Sequence, residues 1–264
     1  MNQELKNKKL FIFDMDGTIY LGDRVFPEAV QFIKRLRSEG KRVLFFTNNA
    51  SRAPKTYFDR LTRLGFEPSQ EEIMTSGDVT IEFLKRHRPG KSVYLVSTPD
   101  LQRQFSESGI ALSDEKSGAN IVVTSFDTTL TYAKLEAACR YIRLGAEFLS
   151  THPDLNCPTE NGPVPDSGAI AALITASTGA EPTYFGKPYA ETINMIAEAT
   201  GASRDEMCVF GDRMQTDIAL GKRHGVTAVL VLTGVTSPED VERAAPADRP
   251  DFVYDNLGSV SDDI

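Results

Sequence analysis

Tryptophan is absent from this sequence of 264 residues, and cysteine is rare. The three cysteines, Cys139, Cys157 and Cys208, are odd in number and show no CxxC spacing. This scarcity argues against a disulfide framework and against a zinc site, because both need paired or clustered cysteines. Unpaired thiols are typical of a reducing compartment, so we expect a cytoplasmic protein.

Positive charge and long apolar runs are also scarce. The sequence has 29 lysine and arginine residues against 37 aspartate and glutamate residues, which gives a net charge of -8 and a pI near 5.1. Nucleic-acid polymers and anionic membranes are bound by basic surfaces, so neither is expected as a partner. The apolar run at residues 10–13 stops at Asp14 and is too short for a signal peptide, and no run reaches the length of a membrane span.

Short apolar runs that alternate with helical patterns are, by contrast, frequent. Strand candidates rich in β-branched and aromatic residues lie at residues 10–13, 43–46, 183–185, 207–210, 228–232 and 252–254. Helical patterns lie between them, including one over residues 27–38 and one over residues 216–224. The alternation predicts an α/β fold with a Rossmann-like parallel-sheet core, formed by residues 1–80 and 184–264. Residues 81–183 have their own alternation and are predicted to form a large inserted α/β domain.

Polar residues follow directly after four of the strand candidates. These groups are DMDGT at 14–18, TNN at 47–49, GKP at 186–188 and GDR at 211–213. In a parallel sheet with right-handed crossovers, the carboxyl ends of the strands lie along one edge, where ligands bind. We therefore expect residues that are far apart in the sequence to converge on one site.

The aspartates in these groups indicate metal-assisted phosphate chemistry. Asp14 and Asp16 are two residues apart, and Gly17 lets the chain leave the strand at once, so both carboxylates can face one pocket. Crowded carboxylates need a cation, and Mg²⁺ fits this pattern, with Asp212 as a third ligand. One carboxylate would then attack phosphorus while a second aspartate acts as acid and base. Asp217 is expected to support the site through a water molecule or a backbone amide.

The phosphate group itself is expected to contact Thr47, Asn48 and Lys187. A hydroxyl, an amide and backbone N–H groups at the end of a strand can hold phosphate oxygens. Lys187 would supply local positive charge beside a helix predicted over residues 189–199, with Pro188 in its first turn.

Together these motifs resemble the haloacid dehalogenase superfamily of phosphatases, in its NagD and 4-nitrophenylphosphatase branch. The resemblance rests on DGTIYLG at 16–22, TNN at 47–49, GKP at 186–188 and GDRMQTD at 211–217. It implies that Asp14 is the nucleophile that becomes an aspartyl phosphate, and that Asp16 is the general acid and base. It also implies that Thr47 and Lys187 hold the phosphate. The implied Mg²⁺ ligands are Asp14, Asp212 and the backbone carbonyl of Asp16.

The same resemblance implies that the inserted domain is a C2-type cap, which contacts the substrate and closes over the site. Two motifs inside it depart from the family pattern. The chain has His152 where the family commonly has the asparagine of Asn-Pro-Asp, and Asp166 where it commonly has the first glycine of Pro-Gly-x-Gly. Both departures are expected to alter a substrate-facing loop, in which Asp154 and Asn156 are candidate specificity residues.

The function expected from these observations is hydrolysis of small phosphate monoesters, such as sugar phosphates, nucleoside monophosphates or 4-nitrophenyl phosphate. Two alternatives stay open: a phosphotransferase or phosphomutase that uses the same intermediate, and a noncatalytic phosphate-binding regulator. The expected partner is a small phosphorylated metabolite. The expected assembly is a monomer or a homodimer formed through the cap.

Overall fold

The computed structural model describes residues 3–159 and 162–264. Its strands are β1 (Leu10–Phe13), β2 (Tyr20–Leu21), β3 (Arg24–Val25), β4 (Arg42–Thr47), β5 (Ile73–Thr75), β6 (Val93–Val96), β7 (Ile121–Thr124), β8 (Glu147–Ser150), β9 (Asn156–Cys157), β10 (Val164–Pro165), β11 (Thr183–Tyr184), β12 (Met207–Gly211), β13 (Thr227–Val231) and β14 (Phe252–Tyr254). Its helices are α1 (Gln3–Asn7), α2 (Pro27–Ser38), α3 (Pro54–Arg63), α4 (Ser76–His87), α5 (Pro99–Glu107), α6 (Tyr132–Arg143), α7 (Ser167–Thr178), α8 (Ala190–Thr200), α9 (Ala219–His224), α10 (Pro238–Arg243) and α11 (Leu257–Asp263). Short 3₁₀ turns span Gln70–Glu72, Arg204–Glu206 and Pro246–Asp248, and a π-helical turn spans Met214–Ile218.

The chain folds into two compact units. The first comprises Met1–Thr47, Lys55–Met74 and Lys187–Ile264, and the second comprises Asn48–Pro54 and Thr75–Gly186. These limits differ from the predicted boundaries after residues 80 and 183. Helix α4 is one continuous element capped by Thr75, so a boundary at residue 80 would cut it. Strand β11 pairs with β8, which places it in the second unit as well.

The first unit is built on a six-stranded sheet with the order β14-β13-β12-β1-β4-β5. Strand β1 runs parallel to both of its neighbours, and Phe13 is in register with Phe210 of β12 and with Phe45 of β4. All four residues of β1 are buried, as expected for a parallel strand that is covered on both faces. The predicted α/β fold with a parallel-sheet core is confirmed, and the carboxyl ends of β12, β1 and β4 lie at one edge of this sheet.

Aromatic packing holds β1 in place beneath that edge. The ring centroids of Phe13 and Phe210 are 4.9 Å apart, and Phe32 of α2 meets Phe13 edge to face with centroids 6.1 Å apart. Helix α2 presents Phe32 because its buried positions recur at the helical period. Each buried phenylalanine contributes about 1.5–3 kcal/mol, so the end of β1 is a rigid base for the residues that follow it.

The second unit has its own four-stranded sheet with the order β11-β8-β7-β6, in which adjacent strands are parallel. Helices α6 and α7 pack on it through Ala138, Tyr141 and Ile174, which are buried with Val122 of β7. The residues TYF before Lys187 were expected to form a strand of the core sheet. That prediction was wrong, because Thr183 and Tyr184 pair with Leu149 and Ser150 of β8 instead.

Local elements otherwise lie close to their predicted positions, with two differences. Pro188 is not in the first turn of α8, since the helix begins at Ala190 with Tyr189 as its N-cap. The helix predicted from Thr216 begins instead as a π-helical turn over Met214–Ile218 and continues as α9. Within residues 3–159 and 162–264, no helix combines the length and apolar character needed to cross a membrane.

Candidate active site

Three carboxylates converge at the carboxyl edge of the six-stranded sheet. Asp14 follows β1, Asp212 follows the neighbouring strand β12, and Asp217 lies in the π-helical turn. One oxygen from each carboxylate lies within 4.8 Å of the other two. The Asp14 N–H donates to the carbonyl of Phe210 at 2.8 Å, so the pairing of β1 with β12 extends to Asp14 itself. Parallel pairing of adjacent strands thus brings Asp14 and Asp212 together.

A buried lysine lies among these carboxylates. Lys187 is 3% exposed, and its Nζ donates to Asp14 Oδ1 and lies 2.7 Å from Asp217 Oδ1. The Nζ also donates to the carbonyl of Phe46 at 3.4 Å. Burial alone lowers the pKa of Lys187, but Asp14 and Asp217 outweigh this effect and raise the pKa above its ordinary value. The ammonium is therefore charged at neutral pH.

The charges in this cluster do not balance. Burial is the main reason that the pKa of Asp14 is raised to about 8; Lys187 opposes the shift, and Asp217 and Asp212 add to it. Burial, followed by the charge of Asp217, raises the pKa of Asp212 to about 6. One ammonium group does not compensate three carboxylates, of which Asp212 and Asp217 are buried and Asp14 is partly buried. Full ionisation of the cluster at neutral pH therefore requires a further cation.

The available ligand atoms fit a hard divalent cation, because all of them are oxygens. Asp212 Oδ2 accepts a hydrogen bond from the N–H of Val235 at 2.7 Å. Its Oδ1 is buried and, within the part of the chain that the structure describes, accepts no hydrogen bond. A buried carboxylate oxygen without a donor is costly unless a cation binds it. Asp217 differs, because it pairs with Lys187 and accepts from the N–H of Arg213 at 3.2 Å.

Asp16 reaches the same edge on a tight turn. Gly17 has a φ of +94°, and a methyl group at this position would collide with the Asp212 carboxylate. Burial raises the pKa of Asp16, while the positive charges of Arg60 and Arg213 oppose that shift. A carboxyl group whose pKa is raised toward neutrality is suited to donate a proton.

The other predicted residues are divided between the two units. Thr47 is the buried last residue of β4 in the first unit. In the second unit, Asn48 Nδ2 donates to Asp154 Oδ2 at 3.2 Å. Asn156 is exposed in β9, where it is paired with Pro165. The structure therefore brings together Asp14, Asp212, Asp217 and Lys187 in the first unit, and Asn48 and Asp154 in the second.

Sequence reasoning missed Arg60 and the ion pair between Lys187 and Asp217. The Arg60 guanidinium lies 4.3 Å from the centroid of the Tyr20 ring and donates to the carbonyl of Gly22 at 2.5 Å. Arg60 occupies a polar position of the amphipathic helix α3, a pattern that also fits a solvated arginine. Only the packing of α3 against the turn after β1 distinguishes an arginine that contacts this turn from a solvated one.

Known proteins are similar to this chain in sequence and in structure. A family model described as haloacid dehalogenase-like hydrolase matches residues 11–111, and a second model, described as HAD-hydrolase-like, matches residues 184–260. An acid sugar phosphatase of Staphylococcus saprophyticus is 32% identical over 256 residues, which cover 97% of this chain and 98% of the relative. The 5′-nucleotidase YutF of Bacillus subtilis is 32% identical over 253 residues, which cover 96% and 97% of the two chains.

Two solved structures are similar over nearly all of this chain. A 4-nitrophenylphosphatase from Thermotoga maritima is 41% identical with a TM-score of 0.94, and the match covers 99% of both chains. A glycerol phosphate phosphatase from Mycobacterium tuberculosis, solved in complex with calcium, is 30% identical with a TM-score of 0.91. That match covers 98% of this chain and 76% of the relative.

The chain belongs to the haloacid dehalogenase-like hydrolases, a family whose phosphatases depend on a metal ion. Within this family it is a phosphoric monoester hydrolase of the NagD and 4-nitrophenylphosphatase branch, and it acts on small phosphate monoesters.

Proposed function

We propose that this phosphatase uses Mg²⁺, forms an aspartyl phosphate on Asp14, and accepts sugar phosphates, nucleoside monophosphates and 4-nitrophenyl phosphate. The observation that carries the proposal is the buried contact of Lys187 with both Asp14 and Asp217, beside an Asp212 oxygen that accepts no hydrogen bond from the described residues. This arrangement orients one carboxylate and leaves another available for a cation.

The residues that would hold Mg²⁺ are Asp14, Asp212 and, through its backbone carbonyl, Asp16. The oxygen-only set and the excess of negative charge support this assignment, and the calcium in the mycobacterial relative is another hard dication. When bound, Mg²⁺ would neutralise charge on the phosphate and favour attack on phosphorus. Asp217 is assigned a supporting role, because its oxygens already pair with Lys187 and the N–H of Arg213.

In the proposed reaction, an Asp14 oxygen attacks phosphorus and the bond from phosphorus to the ester oxygen breaks. Asp16 donates its proton to the departing oxygen, for which its raised pKa is suited. Asp16 then accepts a proton from water as the water oxygen attacks the phosphoenzyme, and the bond between phosphorus and Asp14 breaks to release inorganic phosphate. Lys187, Thr47 and Asn48 would hold the phosphate oxygens during both steps.

The second unit is assigned the role of a cap that selects the leaving group, with Asp154 and Asn156 as specificity residues. The hydrogen bond from Asn48 to Asp154 supports this assignment, because Asn48 directly follows Thr47 at the end of β4. The other expectations stay predictions: a cytoplasmic location, no nucleic-acid polymer as partner, and a monomer or cap-mediated homodimer. Size-exclusion chromatography with light scattering would distinguish the two assemblies.

The test is a screen of phosphate monoesters in buffers that contain Mg²⁺, Ca²⁺ or EDTA, scored by kcat/KM. We expect activity with Mg²⁺ and none in EDTA. Asp14→Asn should lower kcat/KM by at least about a thousandfold, because it removes the nucleophile. Asp23→Asn is the matched control, since the Asp23 side chain is 86% exposed in the same unit. Full activity in EDTA, or an active Asp14→Asn enzyme, would contradict the proposal.

A further inference from the structure

His152 and Asp166, the two residues of the second unit that depart from the family pattern, contact each other. His152 Nε2 lies 2.8 Å from Asp166 Oδ1, and both side chains are almost completely buried. Asp166 is also the N-cap of α7, where the same Oδ1 accepts from the N–H of Ser167 at 2.6 Å. Loss of either partner would leave a buried polar group without this hydrogen bond, so each side chain depends on the other.

The Asp166 carboxylate determines the direction of this hydrogen bond, because an ionised carboxylate accepts and has no proton to donate. Ser76 donates its proton to the carbonyl of Asn48 at 2.5 Å. Because Ser76 donates elsewhere, the Thr151 hydroxyl, 2.9 Å from His152 Nδ1, is the group placed to donate to that nitrogen once Nε2 carries the ring proton. His152 then carries a proton on Nε2 and donates it to the Asp166 carboxylate, which assigns the tautomer from the hydrogen-bond network.

The pair lies at the base of the loop formed by residues 152–156. Asp166 N–H donates to the carbonyl of Leu155 at 3.0 Å, and Gly168 N–H donates to the carbonyl of Asp154 at 2.8 Å. Gly168 also lets the start of α7 approach the loop, because a Cβ at this position would collide with the carbonyl of Pro153. The beginning of α7 and the loop are therefore held together by the His152–Asp166 contact and by two backbone hydrogen bonds.

The loop in turn presents Asp154 to Asn48, whose Nδ2 donates to Asp154 Oδ2 at 3.2 Å. We propose that the buried His152–Asp166 pair is a positioning element of the substrate site. It holds Asp154 against the Asn48 amide and so determines which phosphate monoesters bind well. This inference rests on the proposed roles of Asn48 and Asp154, but the contact that it describes is measurable without turnover.

Three variants separate the pair from its capping role. Asp166→Ser retains a good N-cap residue but is too short to reach His152, whereas Asp166→Asn retains both the cap and an oxygen acceptor. Asp127→Asn is the control for damage elsewhere in the second unit, because Asp127 is buried and pairs with Lys134 at 2.7 Å. KM and kcat are measured for a sugar phosphate and for 4-nitrophenyl phosphate.

Asp166→Ser should raise KM for the sugar phosphate about tenfold relative to KM for 4-nitrophenyl phosphate, the change expected from a lost buried hydrogen bond. Its kcat with 4-nitrophenyl phosphate should stay within about twofold of the wild-type value, because positioning does not change the attack on phosphorus. In Asp166→Asn, the ratio of the two KM values should lie within about threefold of the wild-type ratio, because the oxygen acceptor is retained. If the ratio of KM values changes equally in Asp166→Ser and Asp127→Asn, the His152–Asp166 pair has only a structural role and the proposal is overturned.

The side-chain amide of Asn48 provides a readout that is independent of activity. Its two signals in a ¹⁵N–¹H spectrum are assigned by their loss in Asn48→Ser, and they should shift in Asp166→Ser while staying in place in Asp127→Asn. Unchanged signals in Asp166→Ser would refute the positioning role even if the wild-type enzyme hydrolysed no monoester. Shifted signals together with an inactive wild-type enzyme would instead refute the proposed function and support the contact.

Discussion

Replacement of Lys187 by methionine removes the ammonium group that joins Asp14 to Asp217 and preserves most of the side-chain volume. The lysine is 3% exposed, so water does not replace the lost contacts. Removal of one partner from a buried ion pair costs about 3–5 kcal/mol, because the Asp217 carboxylate then stays buried without its cation. For a protein of this size, that loss lowers the midpoint of thermal unfolding by roughly 6–20 °C in EDTA.

The assay is thermal unfolding followed by circular dichroism at neutral pH, first in EDTA and then with increasing Mg²⁺. Lys222→Met is the matched control, because Lys222 pairs with Asp251 at 2.5 Å but is 25% exposed. Such partly exposed pairs contribute about 0–1 kcal/mol. Asp217→Asn in the Lys187→Met background should recover part of the loss, since it removes one of the uncompensated carboxylates. A Lys187→Met protein as stable as Lys222→Met would refute the reasoning.

Three further predictions concern the same cluster. The folded-state pKa of Asp14, about 8, exceeds its ordinary value of 3.8, so the stability that Asp14 contributes is present below about pH 4 and is lost as pH rises toward 8. The stabilisation of the protein by Mg²⁺, measured by calorimetry, should therefore increase over that pH range. A stabilisation that does not depend on pH would contradict the charge argument. Asp16→Ala should slow phosphoenzyme formation strongly with a sugar phosphate and less with 4-nitrophenyl phosphate. The second substrate should then give a burst of nitrophenol in rapid-mix kinetics, and an equal loss of rate on both substrates would remove Asp16 from the acid role. Gly17→Ala should cost about 1–3 kcal/mol in backbone strain and also weaken Mg²⁺ binding, whereas Gly40→Ala, at a φ of +74° with no described atom within 4 Å, should cost stability alone.

The sequence alone predicted those features that depend on residues close to one another along the chain. Helix α2 was expected over residues 27–38 and spans Pro27–Ser38, because a proline start and a regular apolar face identify a helix without reference to the rest of the chain. The approach of Asp14 to Asp212 was also predictable, since each follows an apolar strand and parallel strands place their carboxyl ends at one edge. Asp14 and Asp212 as candidate metal ligands follow from this placement of strand ends, whereas the backbone carbonyl of Asp16 was implied by the family resemblance.

Tertiary structure decided the contacts that no periodicity encodes. Strand β11 has too few residues for a sequence pattern to select its sheet, and its partner β8 placed it in the second unit. The pairing of Lys187 with Asp217 depends on the π-helical turn after β12, which sequence reasoning treated as an ordinary helix.

His152 and Asp166 illustrate the same division between sequence and structure. Each residue is visible in the sequence as a departure from a family motif, but neither motif indicates that the two side chains meet. Their hydrogen bond forms because β8 and α7 pack together in the second unit and exclude water from the space between them. Apolar patterns and strand ends are local properties of a sequence, whereas the partner of a buried polar group is selected by whichever segments the completed fold brings within hydrogen-bond distance.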